Sequence, residues 1–267
     1  MSSSGSWEQR LARAGELAKR YPASAEMLGF YARTAGFQRA LAASISAGAG
    51  KPKQAGRDLT LVPELDLGGF RELLETVAKV GPPGLAQAAR ALQGQGQEGW
   101  GQLLAAYWRK DASLADGEGK YVFFCCSFLQ PYAEQARQGW TLPAGAPETT
   151  LCPFCGHKPV AGVLREEGVG GKRSLLCSFC LGEWDFRRMV CVSCGQEAPV
   201  KLAVYSAEEF PHVRIDACDS CRTYTKTVDL TKDGHAVPLV DEMAAAALDL
   251  WAGEHGYRKL QLNLLGM

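Results

Sequence analysis

Two patterns of apolar residues divide the chain. Up to about residue 145 they recur three and four positions apart, the spacing of one helical face, and beyond it they fall into short runs of strand length. The first half reads as helices carrying Trp7, Leu11, Ala14 and Leu17, then Met27, Phe30, Tyr31, Phe37 and Leu41, then Phe70, Leu73, Leu74 and Val77. The most regular stripe, Tyr121, Phe124, Cys125, Phe128, Leu129 and Tyr132, keeps to one face. Weaker helical segments cover 83–92 and 98–108. Such helices joined by Gly/Pro loops predict an α-helical bundle.

The stretch Leu142 to Pro147 is rich in Pro, Gly and Ala, as domain linkers are. After it, strands are predicted over 160–164, 174–176, 201–205, 213–216 and 224–230. Gly168, Gly170 and Gly171 place a hairpin turn between the first two. From Pro238 the helical period returns, with Met243, Ala246, Ala247, Leu250 and Trp251 on one face of a last helix that could pack on the bundle or between the two parts. The predicted fold class is α+β and multidomain: an N-terminal α-helical domain over 1–145, two tandem rubredoxin-like or zinc-ribbon modules over 151–187 and 188–236, and a C-terminal helix and tail over 237–267.

Composition narrows the function classes. With 267 residues, 46% hydrophobic and 22% charged, the chain is long enough for a real core and is not of disordered composition. Lys+Arg and Asp+Glu both number 29, and over 151–236 each numbers 11, so no basic excess is available for phosphates. Nucleic-acid binding is therefore not expected. The N-terminus has no secretory pattern, and the longest apolar run, Tyr121 to Leu129, is too short to span a bilayer. A soluble, intracellular protein without membrane insertion is expected, and its ten cysteines then favour metal ligation over disulfides.

Eight of those cysteines form four Cys-x-x-Cys pairs: Cys152/Cys155, Cys177/Cys180, Cys191/Cys194 and Cys218/Cys221. Each pair can form a knuckle aiming two thiolates at one ion, and two knuckles complete a tetrahedral site. Gly156 and Gly195 supply the permissive backbone such a turn favours. The segment 152–180 repeats in plan as 191–221, with 21 residues between the knuckles of the first and 23 between those of the second. Sequential pairing, each repeat holding its own ion, is the favoured arrangement. A cross-brace joining Cys152 and Cys155 to Cys191 and Cys194 is the alternative.

Two ions are expected, and spacing does not separate iron from zinc. A site closed by four thiolates has no open position for activated water, so hydrolysis is disfavoured. Thioredoxin-type chemistry would need a βαβ setting that these pairs lack. His157, His212, His235 and His255 are scattered, with His157 placed for a supporting role beside a knuckle. Cys125 and Cys126 read as small buried hydrophobes in their helix. No phosphate-binding glycine motif occurs.

The knuckles Cys152-Pro-Phe-Cys-Gly156, Cys177-Ser-Phe-Cys-Leu-Gly-Glu-Trp184, Cys191-Val-Ser-Cys-Gly195 and Cys218-Asp-Ser-Cys221 are similar to those of the formate dehydrogenase accessory protein (FdhE) family. So is the ending, with Asp241-Glu-Met, Ala247-Leu-Asp-Leu-Trp251 and Glu254-His-Gly-Tyr257, and the helical run Phe128-Leu-Gln-Pro-Tyr132. The resemblance implies a cytoplasmic, non-catalytic maturation factor acting on the catalytic subunit of a respiratory formate dehydrogenase, with rubredoxin-like modules associated with iron. A rubredoxin-like electron carrier and a zinc-ribbon nucleic-acid adaptor are the alternative functions. Monomer and homodimer are both left open.

Overall fold

Helix ends in the first half are set by local chemistry. The structure, a computed structural model, describes residues 5–47, 65–110, 119–138, 140–142, 148–167 and 171–267. The predicted linker at 143–147 and turn at 168–170 lie outside the described residues. Helix α1, Trp7–Arg20, begins at a capping box in which the Gln9 N–H donates to Ser6 Oγ and the Ser6 N–H to Gln9 Oε1. It is followed by α2, Ala25–Ser46, and by α3, Leu67–Val80, whose cap Asp66 accepts from the N–H groups of Gly68 and Gly69. Next come α4, Pro83–Gln93, with Pro83 at its first position, α5, Gly96–Trp108, and α6, Gly119–Arg137. No helix among the described residues is long and apolar enough to cross a membrane.

The chain forms two compact units, one of residues 33–139 with 266, the other of residues 1–32 with 140–265 and 267. In the helical unit the predicted α6 stripe is buried along its length, Cys125 and Cys126 included, and burial pushes the Cys125 thiol up. Phe70 meets Phe128 and Trp100 edge-on, with ring centroids 5.2 and 5.7 Å apart. Pro131 lies inside α6 and has no N–H for the carbonyl of Ser127. Gln38 Nε2 donates to that carbonyl at 3.0 Å, so the buried oxygen is satisfied from outside the helix.

The other unit is built on one seven-stranded sheet. Its strands are β1, Pro159–Arg165, β2, Lys172–Cys177, β3, Glu183–Asp185, β4, Leu202–Ser206, β5, Val213–Cys218, β6, Thr223–Asp229, and β7, Arg258–Lys259. Their order is β3-β2-β1-β6-β5-β4, with β7 pairing β6. Hairpins β1–β2 and β4–β5 belong to the first and second knuckle repeats, and the parallel pairing of β1 with β6 merges the two repeats into a continuous sheet. Gly162 sits at that junction, opposite Thr227. A Cβ on Gly162 would lie 2.3 Å from Thr227 Oγ1, which donates to Asp216 at 2.7 Å. Threonine is β-branched and cannot swing clear. Gly162→Ala is expected to cost about 1–3 kcal/mol, read as a lower urea midpoint without a change in slope.

The single C-terminal helix expected from Pro238 is in fact two, α7, Pro238–Ala244, and α8, Ala246–Glu254, broken at Ala245. The reason is a buried cation: Lys226 Nζ donates to the carbonyls of Glu242 and Ala245, at 2.5 and 3.2 Å, and ends α7 there. The break turns the expected face, so Met243 is buried while Ala247 and Leu250 are exposed, Leu250 at 72%. Helix α7 packs on β1, β6 and α1. The face α1 turns inward also differs from its apolar stripe, being Arg10, Arg13, Ala14 and Leu17, because Arg13 pairs with Asp241 of α7.

Candidate metal centres

Each repeat delivers its cysteines in the same way. Cys177 closes β2 and Cys218 closes β5, while Cys152/Cys155 and Cys191/Cys194 lie on the turns ahead of β1 and β4. The N–H of a knuckle's first cysteine donates to the carbonyl five residues on, from Cys152 to His157, Cys177 to Gly182 and Cys191 to Gln196, at 2.8 to 2.9 Å. The residue after the second cysteine donates back to the first: Gly156 to Cys152, Gly195 to Cys191 and Arg222 to Cys218. That residue is left-handed in every knuckle, with φ of 71° at Gly156 and 72° at Gly195, but also 50° at Leu181 and 55° at Arg222. The two glycines were expected in that role; Leu181 and Arg222 adopt it at a conformational cost. The offset within the repeat was the available signal for them.

These turns bring the eight sulfurs into two groups, Cys152, Cys155, Cys177 and Cys180 in one and Cys191, Cys194, Cys218 and Cys221 in the other, all Sγ atoms of a group within 4.8 Å of one another. This is the sequential pairing, not the cross-brace. None of the ten cysteines is in a disulfide. In the first group Sγ atoms of Cys152 and Cys180 are 3.5 Å apart and those of Cys155 and Cys177 3.3 Å. In the second, Cys191 to Cys221 and Cys194 to Cys218 are both 3.7 Å. Four thiolates at about 2.3 Å from a central ion stand about 3.8 Å apart, so the second group has the dimensions of a tetrahedral site and the first is slightly tighter. Backbone N–H groups of Phe179 and Ser193 donate to the sulfurs of Cys177 and Cys191, at 3.3 and 3.4 Å. Either group could hold one metal ion. Burial drives the Cys177 and Cys180 thiols well above the ordinary thiol range, while hydrogen bonds from neighbouring sulfurs bring Cys152 and Cys155 below it, so the first group does not titrate as four like thiols.

The two groups differ in exposure. All four cysteines of the first are buried, whereas in the second Cys194 is exposed and Cys221 half-buried. His157 lies beside the first group, its side chain hydrogen-bonded to Cys155 and its ring 4.5 Å from that of Phe179. Arg173, one of the few adjacent basic residues in the sequence, is not on the surface: it is 3% exposed. It donates to the carbonyls of Arg187 and Val190 in the connector and pairs with Asp216 of β5 at 3.3 Å, stitching the first repeat to the second. Arg187 is tied to Glu148 and Glu197.

Sequence spacing missed one further cluster. His212 Nε2 lies 2.7 Å from Asp241 Oδ1, with Asp233 nearby. Arg13 donates to Asp241 at 2.6 Å and to Asp233 at 2.6 Å, so a guanidinium already supplies the positive charge there. Burial opposes that charge, but the two carboxylates outweigh it and raise Arg13 above the usual arginine range.

Comparison with known proteins falls on the same residues. The family model for the FdhE central domain matches residues 151–188, and that for the FdhE C-terminal domain matches residues 189–265. The chain belongs to the FdhE family. An FdhE homolog of Aquifex aeolicus is 29% identical, over 97% of this chain and 95% of that protein. One from Pseudomonas aeruginosa is 41% identical over 123 residues, 43% of this chain and 39% of that protein. The crystal structure of the FdhE protein from Pseudomonas aeruginosa superimposes with a TM-score of 0.70 at 27% identity, covering 97% of this chain and 94% of that one. The α+β fold, helices followed by a sheet with two four-cysteine clusters, is thus the fold of an FdhE protein.

Proposed function

We propose that this protein is a cytoplasmic assembly and maturation factor for the catalytic subunit of a respiratory formate dehydrogenase and catalyses no reaction itself. The observation that carries this reading is the pair of four-sulfur cages on one sheet, in a chain of the FdhE family. Cys152, Cys155, Cys177 and Cys180 hold one iron or zinc ion, and Cys191, Cys194, Cys218 and Cys221 hold the other. A bound ion supplies cross-linking of two knuckles, and since protein thiolates fill all four positions none is left for a substrate. Modules 151–187 and 188–236 then present a stiffened surface to the client.

The test is affinity purification of the tagged chain without oxygen from cells making a formate dehydrogenase, with metal analysis and an absorption spectrum on the same sample. The catalytic subunit is expected to co-purify, with two metal ions per chain. Failure to recover that subunit under these conditions would overturn the reading, and a reversible iron couple in such partner-free protein would favour the electron carrier.

A further inference from the structure

Two buried arginines of the sheet unit are compensated differently. Arg13 meets two carboxylates, Asp233 and Asp241, each at 2.6 Å. Arg173 meets one, Asp216 at 3.3 Å, and that carboxylate also accepts from Arg214 Nε at 2.8 Å. Two guanidiniums thus share a single negative charge. The buried Nε of Arg173 has no hydrogen-bond partner among the described residues. A buried cation short of counter-charge is costly, so a second anion belongs nearby.

The second four-cysteine group lies in the right place to supply it. Arg173 Nη1 donates to the carbonyl of Val190 at 3.2 Å, one residue ahead of Cys191. Arg173, Arg214 and Asp216 line a cavity of about 190 Å³ together with Cys191 and Cys218. Asp216 and Cys218 stand two apart on β5 and so share a face of the sheet. A divalent ion held by four thiolates leaves a net charge of about −2. Exposed Arg188 lines the same cavity, so three guanidiniums face Asp216 and the loaded group, and the opposite charges come into balance.

We propose that Arg173 is the counter-ion of the second metal site: a residue of the first repeat that neutralises the loaded group of Cys191, Cys194, Cys218 and Cys221 and sets its affinity for the ion. Arg173 is a positioning residue, acting on the ion through the field it places on the sulfurs. The second site therefore reaches full affinity only when β2, which carries Arg173, is in place. The first group has His157 beside it instead and is indifferent to Arg173. The inference rests on the two metal sites proposed above and is independent of the client.

The test uses the full chain, with zinc for affinity and cobalt(II) for spectra. Zinc is titrated in competition with a chelator, and the step lost in a Cys194→Ser chain belongs to the second site. Arg173→Met is expected to weaken that step by about 10- to 100-fold and leave the first unchanged. Arg173→Lys keeps the charge without the planar fork and is expected to recover most of the loss. The thiolate-to-cobalt band of the second site, isolated by difference from the Cys194→Ser chain, reads the field itself, because a cation beside a sulfur stabilises the electrons it would give up. Arg173→Met is expected to move that band to longer wavelength, and Asp216→Asn, which removes a negative charge, to shorter. Equal weakening at both sites, an Arg173→Lys chain as weak as Arg173→Met, or the Asp216→Asn band displaced to longer wavelength would each overturn the inference. If Arg173→Met does not fold, the Arg173→Lys affinity and the Asp216→Asn band decide. A wild-type chain that takes no cobalt at the second group would overturn the metal reading as well, whereas full loading that Arg173→Met leaves unchanged overturns this inference alone.

Discussion

Cys152→Ser is expected to empty the first cage, cutting metal content from two ions per chain to one and loosening the β1–β2 hairpin. Structural tetrathiolate sites contribute about 10–16 kcal/mol of apparent binding free energy, far more than a module of this size gains from its core. Cys126→Ser, in the helical unit, leaves both ions in place and costs about 1–3 kcal/mol for a hydroxyl among apolar neighbours. Elemental analysis and thermal melting of both variants separate the roles, and equal effects at the two positions would contradict the division into ligands and core. The cages also differ from each other. Cys194 is exposed and Cys221 half-buried, whereas the first cage is enclosed, so a chelator is expected to strip the second ion well before the first. Equal rates of release would show that burial does not govern access.

The second large effect lies beneath α7. Glu242 and Lys226 are both 0% exposed, 3.0 Å apart. Lys259 also pairs with Glu242, Asn263 donates to its other oxygen, and Asp249 accepts from Lys226 at 2.6 Å. Burial alone would raise the Glu242 carboxyl, but the two ammonium groups outweigh it and hold it down at about 2. Glu242→Gln keeps the shape and removes the charge, leaving Lys226 buried and under-compensated, at an expected cost of about 3–5 kcal/mol in urea unfolding. Adding Lys226→Met is expected to recover much of that loss, since removing both members of a buried pair is far cheaper than removing one. The pH dependence has a definite sign. A depressed carboxylate stabilises above its unfolded value near 4.5, and the contribution fades as pH falls from there towards 2. Wild type is expected to lose stability across that window and the Gln variant to lose less; parallel curves would exclude Glu242 as the group responsible.

The four-cysteine clusters were legible in the sequence and the buried ion pairs were not, for a physical reason. Cys-x-x-Cys closes a turn locally, so its geometry is written within four residues, and the repeat of 152–180 in 191–221 announces which turns belong together. The stripe from Tyr121 to Tyr132 is local in the same sense, and it is buried as its spacing implies. Arg13, Arg173 and Lys226 look like surface cations, and nothing within a few residues reveals Asp241, Asp216 or Glu242 as their partners. That is also why the sequence pattern reads as one last helix: the ammonium that ends α7 comes from β6. Strands β3 and β7, three and two residues long, carry too little pattern to register and exist through pairing with β2 and β6.

The parallel junction of β1 with β6 has a consequence for biogenesis. As the polypeptide leaves the ribosome, β1 and β2 can fold back on each other at once, yet the far side of β1 stays bare until β6 has been translated. Through that interval the nascent chain exposes a half-made sheet, which an early ion in the first cage would stiffen but not cover.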